Sequence, residues 1–392
     1  MKEKKLKFVI YCLFLISISV KPVYSIPMYS PDWGFYLDLP EDYEYYDGNG
    51  IDRYSFGNEI GANFDILIYH EGSGRNNQST EEIIANVYNQ LNNVGSVSFF
   101  NYMGREAWIM ELSFYLSDSS GRPVINTGWA LFMELDGNPG RTPPFIALLA
   151  YSPYEDTEFL FLHLSALDSF SPSEKERLSP GPITEFSYPR DIPVLLPVFN
   201  MDLFVLFYTE DAEAAQAVID REFRVLSLYA DSFYWREAWQ RFYRAIFRDS
   251  YERLLNVSGE ISRHYSVSLT RAGNNRDYAE YILSWVQTFN YERDFLGSDF
   301  INLVTAATEG RGDCDSRALL WAVILNHAEI PSGIMVSRYY SHAMGLAELP
   351  GTGARFDIAG YSYLVAETTA RVGLGLIAES MSDPEYWVGV LF

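Results

Sequence analysis

Cysteine and lysine are nearly absent from this chain. Of its two cysteines, Cys12 lies in an apolar N-terminal stretch and Cys314 far toward the other end. Residues 1–25 have the pattern of a cleavable signal peptide. Lys2, Lys4, Lys5 and Lys7 give a positive start, Phe8 to Val20 an apolar run, and Val23 and Ser25 small residues before a cut. With the leader removed Cys314 is alone, so no intrachain disulfide can form. Cys12 sits early in the run rather than at the cleavage site, which argues against a lipid-modified cysteine. Long hydrophobic runs are also missing: the leader's run falls short of the ~20 residues needed to cross a bilayer, and no other segment reaches ~18 without charges. The expected protein is exported, periplasmic or extracellular, with no stable membrane insertion after leader cleavage.

Beyond the leader only Lys175 remains, and losing five lysines and one glutamate takes the formal charge from −23 to −27. So acidic a chain repels phosphate backbones, which excludes nucleic acid as an expected partner. One cysteine and five scattered histidines form no close ligand group, so no metal is expected. Gly351-Thr352-Gly353 and Gly373-Leu374-Gly375 lack the phosphate-loop lysine and the dinucleotide pattern; they read as turns, and no cofactor is implied.

Apolar material is plentiful, at 48% hydrophobic and 16% aromatic residues, enough for more than one core. Strands are expected at 35–39 and 64–69. A helix capped by Ser79 or Thr80 follows, with Ile83, Ile84, Val87 and Leu91 on one face, then strands at 108–116, 124–135 and 145–151, the first two joined by a turn at 118–121. Such antiparallel strands with a helix on one face make a self-sufficient unit. Residues 155–170 read as a helix with no sharp face. Five prolines between Ser171 and Pro193 mark a junction expected to carry few core contacts. The chain thus divides into a first domain at 26–175, a proline-rich junction at 176–194 and a second domain at 195–392. The second is largely helical up to about residue 290, with aromatic stripes such as Trp235, Trp239 and Phe242 that read as core.

The chemistry concentrates around Cys314. Gly310-Arg311-Gly312-Asp313-Cys314-Asp315 leads into Arg317 to Ala328, apolar nearly all round and therefore a buried helix. At a helix start, unpaired backbone donors favour a thiolate, so the thiol is expected to titrate below the ordinary ~8.5. Asp313 and Asp315 oppose that by like charge unless one caps the helix. His342 follows on a strand of period-two alternation, and Glu367 ends a strand at 363–367 beside Thr368 and Thr369. Nucleophile, base and orienting carboxylate are present in order. The backbone donor of Cys314 and a side chain such as Gln287 or an indole are the oxyanion candidates.

In these features the chain resembles the transglutaminase-like superfamily, papain-related cysteine enzymes with the order Cys, His, Asp. The resemblance spans about 110 residues from Tyr278 to near Gly389. It rests on the lead-in helix ending Trp285-Val286-Gln287-Thr288, the Gly312-Asp313-Cys314-Asp315 elbow, the His342 strand and Glu367-Thr368-Thr369. Two departures stand out: glutamate replaces the usual aspartate, and Met344 stands where an aromatic is common. The first domain, with Phe35-Tyr36-Leu37-Asp38-Leu39-Pro40 and its strand-helix-strand order, distantly resembles the PsbP and Mog1 type of α+β sandwich, which implies a binding or targeting module. The resemblance implies an α+β protein with catalytic Cys314, His342 and Glu367, acting on protein or peptide amide bonds through a thioester. The alternative is a noncatalytic scaffold that keeps the fold with an idle triad.

Overall fold

The structure is a computed structural model and describes residues 27–73, 78–117, 120–137, 141–153, 157–268, 273–293 and 298–392. The leader expected at 1–25 lies outside the described residues, as do Asp118 and Ser119 of the expected turn.

The fold is α+β in two units. The first contains β1 (Met28–Tyr29), β2 (Tyr36–Leu37), β3 (Glu44–Gly48), β4 (Arg53–Gly57), β5 (Asn63–Tyr69), α1 (Thr80–Leu91), β6 (Val97–Tyr102), β7 (Arg105–Ser117), β8 (Pro123–Glu134), β9 (Phe145–Ser152), α2 (Thr157–Asp168) and α3 (Pro182–Ser187). Strands β3 to β9 form an antiparallel sheet ordered β3-β4-β5-β9-β8-β7-β6. In β5 alternate residues Phe64, Ile66 and Ile68 are buried, as the pleat dictates, against Leu131, Leu148 and the α2 residues Ala166 and Leu167. On the opposite face Ile83, Ile84 and Val87 of α1 meet Met110, Leu112 and Phe132. Ser79 and Glu82 close a reciprocal capping box at the start of α1. The sheet therefore carries helices on both faces, where one was expected. The even apolar spread of α2 has its reason here: one side lies on the sheet and another on the second unit.

That unit runs through β10 (Pro193–Pro197), β11 (Phe204–Tyr208), α4 (Asp211–Leu228), α5 (Trp235–Arg253), α6 (Leu255–Ser268), α7 (Asn275–Val286), β12 (Asn290–Tyr291), α8 (Leu303–Glu309), β13 (Arg311–Gly312), α9 (Cys314–His327), β14 (Ser332–Ser337), β15 (His342–Ala347), β16 (Arg355–Ile358), β17 (Tyr361–Ala366) and β18 (Val388–Leu391). Its sheet has the order β16-β17-β15-β14-β18. Helix α9 is buried from Ala318 to Leu325 and lies on β14 and β15. A Cβ on Gly345 would come 2.5 Å from Trp321, so only glycine permits this approach. On its other side the Trp321 indole donates to the Ala279 carbonyl of α7 at 3.0 Å. Among the described residues no helix is long and apolar enough to cross a membrane.

The proline-dense stretch differs from expectation. Ser171, Ser173, Glu176 and Ser179 are buried. Arg248 of α5 donates to the carbonyls of Asp168 (2.8 Å), Phe170 (2.7 Å) and Ser179 (3.0 Å), and the Tyr102 hydroxyl donates to that of Pro180 (2.9 Å). Proline breaks regular ladders and leaves neighbouring carbonyls needing donors. Here the half-buried Arg248 and the buried Tyr102 supply them, so the segment is seated rather than loose.

Two further arginines of α5 join the units. Arg241 donates to the Asp38 carbonyl (2.8 Å), the Glu222 carboxylate (2.8 Å) and the Ser165 hydroxyl (2.6 Å), and Arg244 makes a forked pair with the Asp38 carboxylate at 2.9 Å. The spacing 241, 244, 248 places all three on one helix face. Removing a partner from a buried ionic network strands the remaining charge. Arg241→Ala is expected to cost about 3–5 kcal/mol in urea unfolding; a loss near zero would show that the network does not hold the units together.

Burial also sets a pH dependence. It pushes the carboxyl of Glu41 up to about 8, and Glu41 Oε1 has no hydrogen-bond partner. It likewise pushes Glu185 up to about 7. These groups keep protons that the unfolded chain has already released above pH ~4.5, so stability falls as pH rises toward 8. His163 and His327, pushed down to about 4 by burial, act oppositely, but only below the ordinary imidazole value of ~6.5. Tm should therefore be higher at pH ~6.5 than at pH ~8.5, and Glu41→Gln should shrink the difference. An equal Tm at both values would contradict this.

Candidate active site

The site forms where α9 begins. Asp313 is the N-cap residue: its Oδ1 accepts from the Ser316 backbone at 2.8 Å and from the Ser316 hydroxyl at 2.7 Å. One of the two flanking aspartates thus does cap the helix. Arg317, itself buried, donates to the carbonyls of Gly312 (3.1 Å) and Phe289 (2.8 Å), which fastens the turn from below.

Strand β15 starts at His342, beside the thiol. In the β15–β17 register Gly345 opposes Ala366, so the histidine stands across from the turn that follows β17. Glu367 occupies that turn, and its Oε2 lies 2.9 Å from His342 Nε2. Its other oxygen accepts from the Thr369 backbone at 2.7 Å and from the Thr369 hydroxyl at 2.5 Å. Burial works against the Glu367 charge, but the bonds from His342 and Thr369 hold its carboxyl below the usual range. A carboxylate on Nε2 selects the tautomer with its proton there and leaves Nδ1 with a lone pair.

Cys314 and His342 line one cleft of about 320 Å³. One wall is apolar, with Leu226, Trp239, Phe242 and Phe300, while Arg293 and Arg338 contribute cationic groups. Among the described residues the thiol does not hydrogen-bond His342; it donates to Asp315 Oδ2 at 3.4 Å. The expected lowered thiol is not found. Burial pushes it well up, and Asp315 and Asp313 push it further, against a favourable bond from the Ala343 backbone. The helix start supplies donors, yet two carboxyls and the surrounding core outweigh them. Asp313 is itself raised to about 8 by burial and by Asp315.

Gln287 is placed away from an oxyanion role. Its amide donates to the carbonyls of Glu367 (2.8 Å) and Val372 (2.9 Å), so both amide hydrogens are committed to holding the Glu367 turn. It does not line the cleft. Tyr243 of α5 was missed: it lines the cleft and donates to Asp315 Oδ1 at 2.5 Å. Burial and Asp315 raise its hydroxyl well above the ordinary value, which keeps it a donor. Its neighbours Trp239 and Phe242 read as a core stripe, so only its polar tip could have signalled a different role.

His327, near the end of α9, sits with Nδ1 2.6 Å from the Ser258 hydroxyl. Cysteine and histidine spacing along the chain forms no ligand group. The fold gathers a different group: ligand atoms of Asp313, Cys314 and Asp315 lie within 4.8 Å of one another. Asp313 and Asp315 already each give one oxygen to Ser316 and Tyr243.

No family model matches the chain, and no curated protein matches it. Among solved structures it is similar to a Bacteroides thetaiotaomicron VPI-5482 protein at TM-score 0.25 and 10% identity, over 56% of this chain and 75% of that one. It is also similar to a "putative protease" of Parabacteroides distasonis ATCC 8503 at TM-score 0.22 and 11% identity, over 82% of this chain and 68% of that one. Likenesses this low carry no argument about activity.

If Gln287 holds the Glu367 turn, Gln287→Ala strands two carbonyls and should lower stability by about 1–3 kcal/mol in urea unfolding. Unchanged stability would return Gln287 to the list of groups free to meet a substrate.

Proposed function

We propose that the chain is an exported cysteine-dependent enzyme of transglutaminase-like kind, a peptidase or acyltransferase acting on protein or peptide amide bonds. The observation that carries this reading is that His342, which lines the same cleft as Cys314, is bonded to Glu367 at 2.9 Å. In the reaction the thiol proton passes to His342 Nδ1, and the sulfur attacks the substrate carbonyl carbon. The tetrahedral intermediate collapses with the proton returned from His342 to the leaving amine, and a thioester remains on Cys314. Glu367 holds the imidazole and stabilises its cation. Water or a second amine, deprotonated by the neutral imidazole, then resolves the thioester.

A second reading is favoured by the thiol's own bond. Sγ donates to Asp315 Oδ2, and burial with the two flanking carboxyls pushes the thiol well up, which suits a binding protein with an idle triad. Intact-mass detection of a Cys314 acyl adduct after exposure to a peptide and glutamine-donor library separates the two. The wild type should form the adduct, Cys314→Ala should abolish it, and His342→Ala should reduce turnover at least ~100-fold. Glu367→Gln should be worse than Glu367→Asp, because it loses the charge that stabilises the imidazolium. A folded wild type that acquires no adduct from any donor would sink the enzymatic reading.

A further inference from the structure

The thiol of Cys314 shares a cleft with His342, but the acceptor it bonds is Asp315. Asp315 stands in the first turn of α9. Its Oδ1 is held by the Tyr243 hydroxyl at 2.5 Å, while Oδ2 faces Sγ at 3.4 Å. Tyr243 is buried on α5. That helix is anchored from another face by Arg241 and Arg244 to the first unit. The carboxylate cannot turn to solvent without giving up the tyrosine bond.

We propose that Asp315, oriented by Tyr243, is a positioning residue that keeps the Cys314 thiol protonated and bonded to itself in the ligand-free protein. The inference rests on the reading of Cys314 as nucleophile and adds what controls it. Burial and the Asp313 charge on the same turn also favour the neutral thiol, but Asp315 is the group that accepts its proton in a hydrogen bond. The Glu367 carboxylate is engaged by His342 and Thr369. Arg317 is spent on two carbonyls. Arg293 reaches the Tyr291 hydroxyl at 3.3 Å and Asp299 at 3.9 Å, and Arg338 reaches the Ala230 carbonyl at 3.4 Å. None of these cations bonds Asp315 among the described residues. Once Asp315 is neutralised, or engaged by a donor group on an incoming ligand, His342 Nδ1 is the remaining acceptor for the thiol proton.

The test is the rate of Cys314 alkylation by iodoacetamide between pH 6 and pH 10.5 on the full mature chain, with Tm measured for each variant. Asp315→Asn should lower the apparent thiol pKa by at least about one unit, making alkylation at pH ~7.5 roughly tenfold faster. Tyr243→Phe should move it the other way, because a carboxylate without its hydroxyl partner accepts more strongly from the thiol. Opposite shifts at wild-type-like Tm are not what general loosening produces. An Asp315→Asn profile identical to wild type, or shifts of the same sign in both variants, overturns the inference. The double variant Asp315→Asn with His342→Ala separates this from the functional reading, since alkylation needs no acyl donor. If the double variant loses the drop, the proton passes to His342. If it keeps the drop, Asp315 still restrains the thiol and His342 is removed as the base.

Discussion

The close approach of Trp321 to Gly345 is the constraint on which the rest depends. Helix α9 is apolar all round and must be covered on every side, and the absence of a side chain at residue 345 lets it settle on β15. Once that distance is set, the first turn of α9 and the first residue of β15 share one cleft. Any larger residue at 345 would lift the helix and separate Cys314 from His342, whatever the identity of either. Small displacements of this kind cost orders of magnitude in rate when reacting groups must be preorganised.

Helix α5 performs the corresponding task between the units. One face carries Arg241, Arg244 and Arg248 into backbone carbonyls and a carboxylate of the first unit, and Tyr243 on another face reaches Asp315, the residue after Cys314. The first unit and the cleft are thereby connected through one rigid element. The buried charges in this contact are each paired or bonded to carbonyls, the condition under which buried ions specify an arrangement instead of disrupting it.

At the cleft, two opposing electrostatic settings lie side by side. Glu367 is kept charged against its burial by the bonds from His342 and Thr369. The thiol is kept neutral by burial, Asp315 and Asp313. A carboxylate-bonded imidazole beside a restrained thiol fits the proposed enzyme if its reactivity waits on a ligand, and it fits the scaffold reading as well.

Much of the fold was legible because local rules and tertiary packing agree. The alternation in Trp108 to Leu116, the Ser79–Glu82 box and the apolar run after Cys314 each correspond to an observed element. Residue order along the chain also pointed to Cys314, His342 and Glu367 as one group. Other features required the three-dimensional arrangement. Gln287 was read as an oxyanion candidate, but an amide's role depends on which carbonyls come within reach, and here they are those of Glu367 and Val372. The proline-dense stretch looked loose because its donors, Arg248 and Tyr102, are distant in sequence. The sequence by itself determined several of the longer elements, the α+β class and the candidate chemical groups, because periodicity, capping and side-chain chemistry are local. Only the tertiary structure decided the thiol's proton partner, because desolvation and the approach of Tyr243 and Asp315 exist only once α5 and α9 are packed together.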